Sequence, residues 1–499
     1  MTGMLPVDSG PMSMIGAILV PAIAALGIAL LRRWPNLREA VTLIASLALF
    51  LVVLRVAWLF GAEGGIPSVT LMHWTPELGL KLSAEPLGVL FALVASFLWI
   101  VNSVYSIGYM RGNGEAHQTR FYVCFALAIA STMWIAFAGN LLTLFFGYEA
   151  LTLSTYPLVT HSGKPEAVRG GRTYLGILLA TSIGMLLLAI VIIWRIAGTL
   201  DFVPGGVLTG LPEGPVDGRM IGLLLFLFMF GIGKAALMPV HRWLPAAMVA
   251  PTPVSALLHA VAVVKAGVFS IVKVVVYVFG IDLLAATPEA GWLLYVAGFT
   301  IVAASVIALR QDNLKRRLAY STVSQLSYVI MATAILVPIS IAGAALHIAA
   351  HAFGKITLFF AAGSIYTAAH KTEVSQLNGI GRRMPWTMTA FAVGALSMIG
   401  VPPTAGFISK WFILQGALTS GQFFAVTVIA VSTLLNAAYL LPVVHAAFFK
   451  APDGPQQAAH GEAPLPIVLA LVVTAAGTVL LFFVPDVVLD LAMQLAEQQ

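Results

Sequence analysis

Fourteen mostly apolar runs, separated by short polar segments, dominate this 499-residue sequence. A run of about 20 apolar residues is what an α-helix needs to cross the hydrocarbon core of a bilayer. Hydrophobic residues make up 60% of the chain and charged residues 9%, against roughly 25% charged residues in soluble domains. The sequence therefore predicts an all-α polytopic membrane protein, with spans at residues 12–31, 39–60, 86–110, 121–138, 140–160, 172–197, 219–240, 250–279, 290–309, 317–336, 339–369, 385–414, 422–449 and 464–492.

Lysine and arginine are divided very unevenly between the two alternating sets of loops. One set carries seventeen of them, and the other carries two, Lys81 and Arg219. Because cytoplasmic loops have an excess of Lys and Arg, the richer set is predicted to be cytoplasmic. Both termini of this multi-pass cell-membrane protein are then expected outside the cytoplasm. The richer set is Arg32, Arg33, Arg38, Arg111, Arg120, Lys164, Arg169, Arg172, Arg242, Arg310, Lys315, Arg316, Arg317, Lys371, Arg382, Arg383 and Lys450.

The motif content limits which cofactors the chain can bind. Cys124 is the single cysteine, so neither a disulfide framework nor an iron–sulfur cluster held by this chain alone is possible. The sequence contains no nucleotide-binding glycine loop and no nucleophile elbow. We expect no cofactor, no metal and no nucleic-acid partner, and an enzymatic activity of the chain by itself is not indicated.

Ionisable residues inside the predicted spans are few and unbalanced. Glu149 is the one glutamate well inside a span, and four lysines lie deep in spans: Lys234, Lys265, Lys355 and Lys410. Ionisable groups at this depth are costly and face the bundle interior, and a buried lysine that alternates between neutral and charged forms is a proton carrier. The excess of bases favours proton transfer over the alternative in which each lysine is permanently bonded to backbone carbonyls or water. Lys273 lies nearer a span end, where snorkelling is an adequate interpretation.

The eleventh span carries His347, His351 and Lys355 at intervals of four residues. This spacing places the three side chains on one helix face, in a stripe about 12 Å long. Imidazoles titrate near pH 6.5 and suit a proton relay, whereas no nearby Cys or acid completes a metal site. His259 precedes Lys265 by six residues, about 120° around the helix, so the two residues need not share one path.

Prolines interrupt two of the spans close to a buried lysine. Pro239 follows Lys234 and would free the carbonyl of Ala235. Pro402 and Pro403 would free the carbonyls of Met398 and Ile399 ahead of Lys410. Broken helices expose backbone dipoles at membrane depth and mark ion sites in transporters. A break beside a buried charge, present once in each half of the chain, predicts two such sites.

Four segments resemble the antiporter-like subunits shared by respiratory complex I (its L, M and N subunits), Mrp-type cation/proton antiporters and membrane-bound hydrogenases. They are NLLTLFFGYEALTLSTYPLVT at 140–160, GKAALMPVHRWLPAAMVAPTPVSALLHAVAVVKAG at 233–267, RQDNLKRRLAYSTVSQLSYV at 310–329 and HIAAHAFGK at 347–355. The resemblance covers roughly residues 85–450. Within this family the chain is most similar to the D-type component of Mrp antiporters, on the run from 251 to 267 and the loop GKPEAVRGGRTYL at 163–175.

This resemblance implies a fold of fourteen helices containing two inverted five-helix repeats, with helices 7 and 12 broken. The expected units are residues 1–120 (helices 1–3), 121–280 (helices 4–8), 281–450 (helices 9–13) and 451–499 (helix 14). The resemblance also implies residue roles. Glu149 would pair with Lys234, His259 and Lys265 would link two half-channels, and Lys410 would be the terminal residue of a relay that has His347, His351 and Lys355 at its centre.

The function implied is proton translocation by one membrane subunit of a multisubunit monovalent cation/proton antiporter. The expected partners are other membrane subunits and the lipid bilayer, with H⁺ carried directly and Na⁺ at most indirectly, since Glu149 is the one deep carboxylate. One alternative is a proton-pumping subunit of an NADH-quinone oxidoreductase (complex I-like) or of a membrane-bound hydrogenase. A further alternative is the membrane subunit of an inorganic-carbon uptake system.

Overall fold

The computed structural model describes residues 9–63, 68–75, 78–211, 214–452 and 461–498, and these residues are almost entirely helical. Helices dominate because a backbone in lipid must satisfy its own hydrogen bonds within the segment. The N-terminal part contains α1 (Ser9–Leu30), α2 (Pro35–Glu63) and α3 (Pro86–Gly112). Between α2 and α3, in the segment that separates the second and third predicted spans, lies an antiparallel hairpin of β1 (Val69–His73) and β2 (Gly79–Leu82).

The next part corresponds to the predicted spans four to eight. Its helices are α4 (Gln118–Ala136), α5 (Leu141–Val159), α6 (Pro165–Thr181), α7 (Leu187–Ala197), α8 (Gly218–Gly231), α9 (Trp243–Ala246), α10 (Thr252–Ala256) and α11 (Val263–Val274). The π-helical turn Ser182–Leu186 joins α6 to α7, Leu257–Val261 lies between α10 and α11, and Val275–Phe279 continues α11. Single π-turns inside helices are frequent at functional sites.

The remaining part contains the longest helix of the described chain. Its helices are α12 (Ile281–Ala285), α13 (Trp292–Leu309), α14 (Leu314–Ala334), α15 (Pro338–Ala369), α16 (Pro385–Ile399), α17 (Ala405–Thr419), α18 (Phe423–Phe449), α19 (Leu465–Phe483) and α20 (Asp486–Glu497). Each of the fourteen predicted spans overlaps at least one of these helices, and the seventh, twelfth and fourteenth are interrupted after Gly231, Ile399 and Phe483. Within the described ranges, ten helical segments are long and apolar enough to cross a membrane, and α8 and α16 are shorter apolar helices.

Burial separates a central pair of helices from the peripheral ones. Every side chain from 252 to 279, which includes α11, is buried, and so is every side chain of α15 from 340 to 365. In contrast, α1, α2 and α19 bury only about a third of their most apolar residues, and large apolar side chains such as Leu30 and Leu465 are exposed. The polar residues of α11 and α15 are therefore removed from both lipid and bulk water.

Candidate functional site

Lys234 lies in a break of the seventh predicted span. Helix α8 ends at Gly231, Lys234 sits in the short turn Gly233–Ala235, and Ala236 has a left-handed φ of 56°. The sequence predicted the break at Pro239. In the structure the helix already ends at Gly231, and Pro239 follows the turn, in a cis peptide bond with Met238. Lys234 is thus inside the break between α8 and α9, in a single 3-10 turn.

The Lys234 ammonium is held by groups of α5. Its side chain is completely buried, and Nζ donates to the carbonyl of Tyr148 at 2.7 Å and to Oγ1 of Thr152 at 2.6 Å. The ammonium also lies 3.1 Å from the centre of the Tyr148 ring, in cation–π contact. Tyr148 and Thr152 are four residues apart and so share a helix face. The sequence analysis did not predict Tyr148 and Thr152, because it considered charged residues and both of these are uncharged.

Glu149 is adjacent to this site but is not in direct contact with the amine. It is partly exposed, and its Oε1 is a buried atom without a hydrogen-bond partner. Among the described residues, no carboxylate oxygen comes within 4 Å of the Lys234 amine. In this conformation the direct ion pair implied by the family resemblance is not formed, because Tyr148 and Thr152 supply the acceptors instead.

Lys410 occupies the corresponding break in the twelfth predicted span. Helix α16 ends at Ile399 and α17 begins at Ala405, and Pro402 and Pro403 lie in the gap, joined by a cis peptide bond. The Lys410 amine donates to the carbonyl of Met398 at 2.8 Å and to that of Ile399 at 3.0 Å. These are the two carbonyls that the proline positions predicted to be free. The amine thus caps the broken end of its own span.

Helix α15 links the two halves through its histidines. The Lys265 amine of α11 lies 2.6 Å from Nδ1 of His351. The rings of His351 and His347 are 6.1 Å apart, centre to centre. Nδ1 of His347 contacts Oγ of Ser409 at 2.9 Å, and its Nε2 contacts Oε1 of Gln325 at 3.1 Å. Two of the three polar residues in the predicted stripe therefore form a continuous connection from α11 to α17.

The connection continues from His347 to Lys410 by two routes. Nε2 of Gln325 donates to the Met398 carbonyl at 3.3 Å, and that carbonyl also accepts from Lys410. The Tyr328 ring lies 5.6 Å from the His347 ring and 4.7 Å from the Lys410 amine. Gln325, Ser409 and Tyr328 were not predicted, because uncharged polar residues are common on membrane helices and nothing in the sequence separates these from the rest.

Lys355 and His259 are both buried but stand outside this connection. The Lys355 amine donates to Oγ of Ser321 at 2.8 Å, and that hydroxyl also accepts from Tyr439 at 2.9 Å. His259 lies in the π-turn Leu257–Val261, and its ring packs at 4.7 Å from that of Phe359, with both ring nitrogens unpaired. The sequence placed both residues in the relay, whereas this conformation bonds neither of them to another relay side chain.

Lys273 does not snorkel, contrary to the sequence interpretation. Its side chain is completely buried, and its amine lies 3.0 Å from Oε2 of Glu85 and donates to the carbonyl of Ala138. Glu85 precedes Pro86 at the start of α3, just outside the predicted span, which is why the sequence did not mark it as a buried acid. Lys273 is thus a further buried base, and it forms an ion pair with Glu85.

The site as a whole is a line of buried bases with few acids to neutralise them. The bases from Lys265 through His351 and His347 to Lys410 are connected by hydrogen bonds and ring contacts. Burying a charge without a paired charge is costly, so these groups cannot all be protonated at once. The arrangement can pass a proton from one base to the next. Such an axis, inside a polytopic helical bundle, is suited to moving protons across a membrane.

Comparisons with known proteins show to which family this chain belongs. Residues 138–436 match the family model described as "NADH:quinone oxidoreductase/Mrp antiporter, TM". The chain is 36% identical over 402 residues to NADH-quinone oxidoreductase subunit N of Desulforudis audaxviator, covering 79% of this chain and 77% of that protein. It is 31% identical over 459 residues to subunit L of Pseudomonas aeruginosa, covering 88% and 72%. The chain therefore belongs to the family of membrane subunits shared by NADH:quinone oxidoreductase and Mrp antiporters.

Two solved structures share the fold. A chain of the membrane-bound sulfane sulfur reductase, an archaeal respiratory membrane complex, matches with a TM-score of 0.85 at 23% identity, and the match covers 97% of both chains. A chain of the Mrp complex from Dietzia sp. matches with a TM-score of 0.83 at 20% identity, again over 97% of both. The predicted fold class, family and multi-pass membrane character are thus confirmed.

Proposed function

We propose that this chain is the proton-translocating subunit of a multisubunit monovalent cation/proton antiporter. The observation that carries the proposal is the line of buried bases from Lys265 on α11 to Lys410 at the second helix break, joined by hydrogen bonds and ring contacts. Its partners are other membrane subunits, and its cargo is H⁺. Sodium binds elsewhere in the complex, because Na⁺ prefers several hard oxygen ligands and the relay supplies mainly nitrogens.

The proposed mechanism begins at Lys234. Glu149 stabilises the ammonium when its carboxylate turns toward Lys234, and the proton is released when that carboxylate turns away or is itself protonated. Lys265 receives the proton through water, and His351 and His347 pass it on. Gln325 and Ser409 hold the His347 ring in place, and water carries the proton from that ring to Lys410. Lys410 delivers it to the opposite side. Lys355 and His259 join the relay in a conformation in which their side chains turn toward it.

We further propose the orientation and internal repeat of the chain. The seventeen Lys and Arg residues in one set of loops support a cytoplasmic position for that set, with both termini outside the cytoplasm. Residues 121–280 and 281–450 form two inverted five-helix repeats, after helices 1–3 in residues 1–120 and before helix 14 in residues 451–499. Two breaks that each position a buried lysine, one per repeat, support this division.

The main alternative is a membrane subunit of an NADH-quinone oxidoreductase, a membrane-bound hydrogenase or a related respiratory complex. The 36% identity to a protein named NADH-quinone oxidoreductase subunit N favours it. An inorganic-carbon uptake system is a further alternative. The antiporter, the redox complex and the carbon-uptake system could all use the same proton relay. They differ in the subunits that accompany this chain. Purification from native membranes distinguishes them: small membrane subunits indicate an antiporter, iron–sulfur subunits a redox complex, and a zinc protein carbon uptake.

The test of the proposed function replaces the buried amine and keeps its packing. We expect Lys234→Met to reduce proton flux at least about tenfold, because methionine cannot bind and release a proton; a tenfold loss corresponds to ~1.4 kcal/mol. The flux is measured with a pH-sensitive dye in vesicles that contain the assembled complex. Lys450→Met, at an exposed lysine after α18, is the matched control and should keep full flux. Normal flux in Lys234→Met, with the complex assembled, would exclude the relay.

A further inference from the structure

A second polar site lies on α11, two helical turns beyond the relay. Lys273 follows Lys265 by eight residues, which corresponds to about 12 Å along a helix. The Lys273 amine is enclosed by Glu85 of α3 at 3.0 Å, the Ala138 carbonyl at the end of α4, and the Phe202 ring at 4.4 Å. Three segments, just before α3, just after α4 and just after α7, thus converge on one buried ammonium that the proposed relay does not use.

This site has access to the surface of the protein. The Glu85 side chain is 13% exposed, whereas that of Lys273 is 0% exposed. Next to it lies the ion pair between Lys81 of β2 and Asp201, at 2.7 Å, whose side chains are 28% and 40% exposed. We call the surface that carries Lys81 and Asp201 the Asp201 face. Of the two partners, Glu85 is therefore the one that reaches the surface.

The inner end of the site is closed by aromatic rings. Phe269 lies midway between Lys265 and Lys273, four residues from each, and so faces the same side of α11. Its ring is fully buried and packs 5.1 Å from the ring of Phe91. The ring of Phe269 is also 5.5 Å from the Lys273 amine. An apolar barrier one to two helical turns thick thus separates Lys273 from the relay.

We propose that Glu85 and Lys273 form a second proton port, which connects the relay at Lys265 to the Asp201 face and which Phe269 closes in this conformation. The inference rests on the proposed function, because a port has a role only if the relay carries protons. A proton arriving from the Asp201 face protonates the Glu85 carboxylate and so breaks its ion pair with Lys273. The freed lysine side chain then turns inward past Phe269 and gives its own ammonium proton to Lys265. The neutral amine returns, takes the proton from the Glu85 carboxyl and so restores the ion pair.

The titration of Glu85 supports this sequence of events. Burial raises the pKa of the Glu85 carboxyl above its usual range, and the nearby Lys273 and Lys81 partly oppose this rise. The ionisable groups that face the carboxyl are Lys273 from α11, Lys81 from β2 with its partner Asp201, and Tyr277 from the turn that continues α11. Among them only the carboxyl is both partly exposed and directly paired with the buried amine.

The experiment varies pH on the Asp201 face of the assembled complex. Proton flux is measured in vesicles of known orientation, with the opposite face buffered at constant pH. We expect the wild-type flux to depend on pH at the Asp201 face. Glu85→Gln should remove that dependence and lower the flux about threefold or more. Asp201→Asn, which breaks only the exposed pair with Lys81, is the matched control and should keep the wild-type pH profile.

A second variant distinguishes loss of the port from misfolding. Glu85→Gln leaves the Lys273 amine without its acid, so Glu85→Gln combined with Lys273→Gln removes both charges together. We expect the double variant to assemble and also to lose the pH dependence. A wild-type pH profile in either variant would overturn the port. If Lys234→Met abolishes flux while Glu85→Gln behaves as wild type, only the port fails. If Lys234→Met keeps full flux, the proposed function itself fails.

Discussion

The two helix breaks place a buried lysine at similar points of the fold but hold it in different ways. Lys234 is bonded to α5, through the Tyr148 carbonyl and the Thr152 hydroxyl, with an ionisable carboxyl next in sequence to Tyr148. Lys410 is bonded to the carbonyls of its own span. Among the described residues, no carboxylate lies within 4 Å of its amine. The first site can thus be controlled by an acid, whereas the second is set by backbone geometry.

This difference indicates different tasks in proton transfer. In the proposed mechanism the first site binds or releases its proton when the Glu149 carboxylate moves, and the Oε1 of that carboxylate has no hydrogen-bond partner that would hold it. A site whose amine caps backbone carbonyls keeps a constant environment and suits a delivery point. The two sites also differ in their contact with the relay. His347 is bonded to Ser409, the residue before Lys410, and not to any group near Lys234.

What the two sites share is a glycine at the closest backbone contact. A Cβ at Gly267 of α11 would collide with the backbone of Lys234 and Ala235, and a Cβ at Gly406 of α17 would collide with the carbonyl of Ser397. Neither contact can be relieved by rotating a side chain, because the opposing atoms are backbone. Both broken segments are therefore positioned by a helix that lacks a side chain at the contact.

The largest expected effect comes from filling these contacts. Gly267→Ala and Gly406→Ala should each destabilise the protein by about 1–3 kcal/mol, the usual cost of overpacking. Thermal unfolding of the purified protein in detergent measures this. Gly176→Ala, on α6 with open space around the added Cβ, is the control and should be neutral or slightly stabilising. Equal stability of all three variants would contradict the close packing of both breaks.

A smaller effect is expected from making the first site resemble the second. Glu149→Gln leaves the Tyr148 and Thr152 acceptors in place but removes the acid, and we expect flux to fall about tenfold. Flux in vesicles with the assembled complex is the measurement. Gln415→Glu, at an exposed position on α17, is the charge-changing control and should keep full flux. Unchanged flux in Glu149→Gln would show that the acid does not control Lys234.

The smallest effect is expected from giving the second site an acid. Gln325→Glu has nearly the same shape and puts a carboxylate between His347 and the carbonyl that Lys410 shares. A proton is then held more tightly at this point, and we expect flux to fall about threefold and to recover partly at higher pH on the receiving side. Gln325→Met, which adds no charge, separates this effect from the loss of hydrogen bonds. Equal pH profiles in the two variants would refute the distinction between the sites.

Much of the architecture could be predicted because apolar length and charge are local properties. Each of the fourteen predicted spans overlaps at least one helix. The positions of Met398 and Ile399 as free carbonyls followed from Pro402 and Pro403, since a proline removes a specific hydrogen bond. Prediction failed where a bond depends on distant segments: Tyr148 with Lys234, Gln325 with His347, and Glu85 with Lys273 are 86, 22 and 188 residues apart.

The sequence by itself determined that the chain spans a membrane and that its interior contains more bases than acids, because both follow from counting residue types along apolar runs. Only the tertiary structure decided which bases touch. That outcome depends on the side-chain rotamer and on the helix packed opposite, and neither is encoded by spacing along one helix. His347, His351 and Lys355 share one face of α15, yet these bonds reach three different helices, α17, α11 and α14.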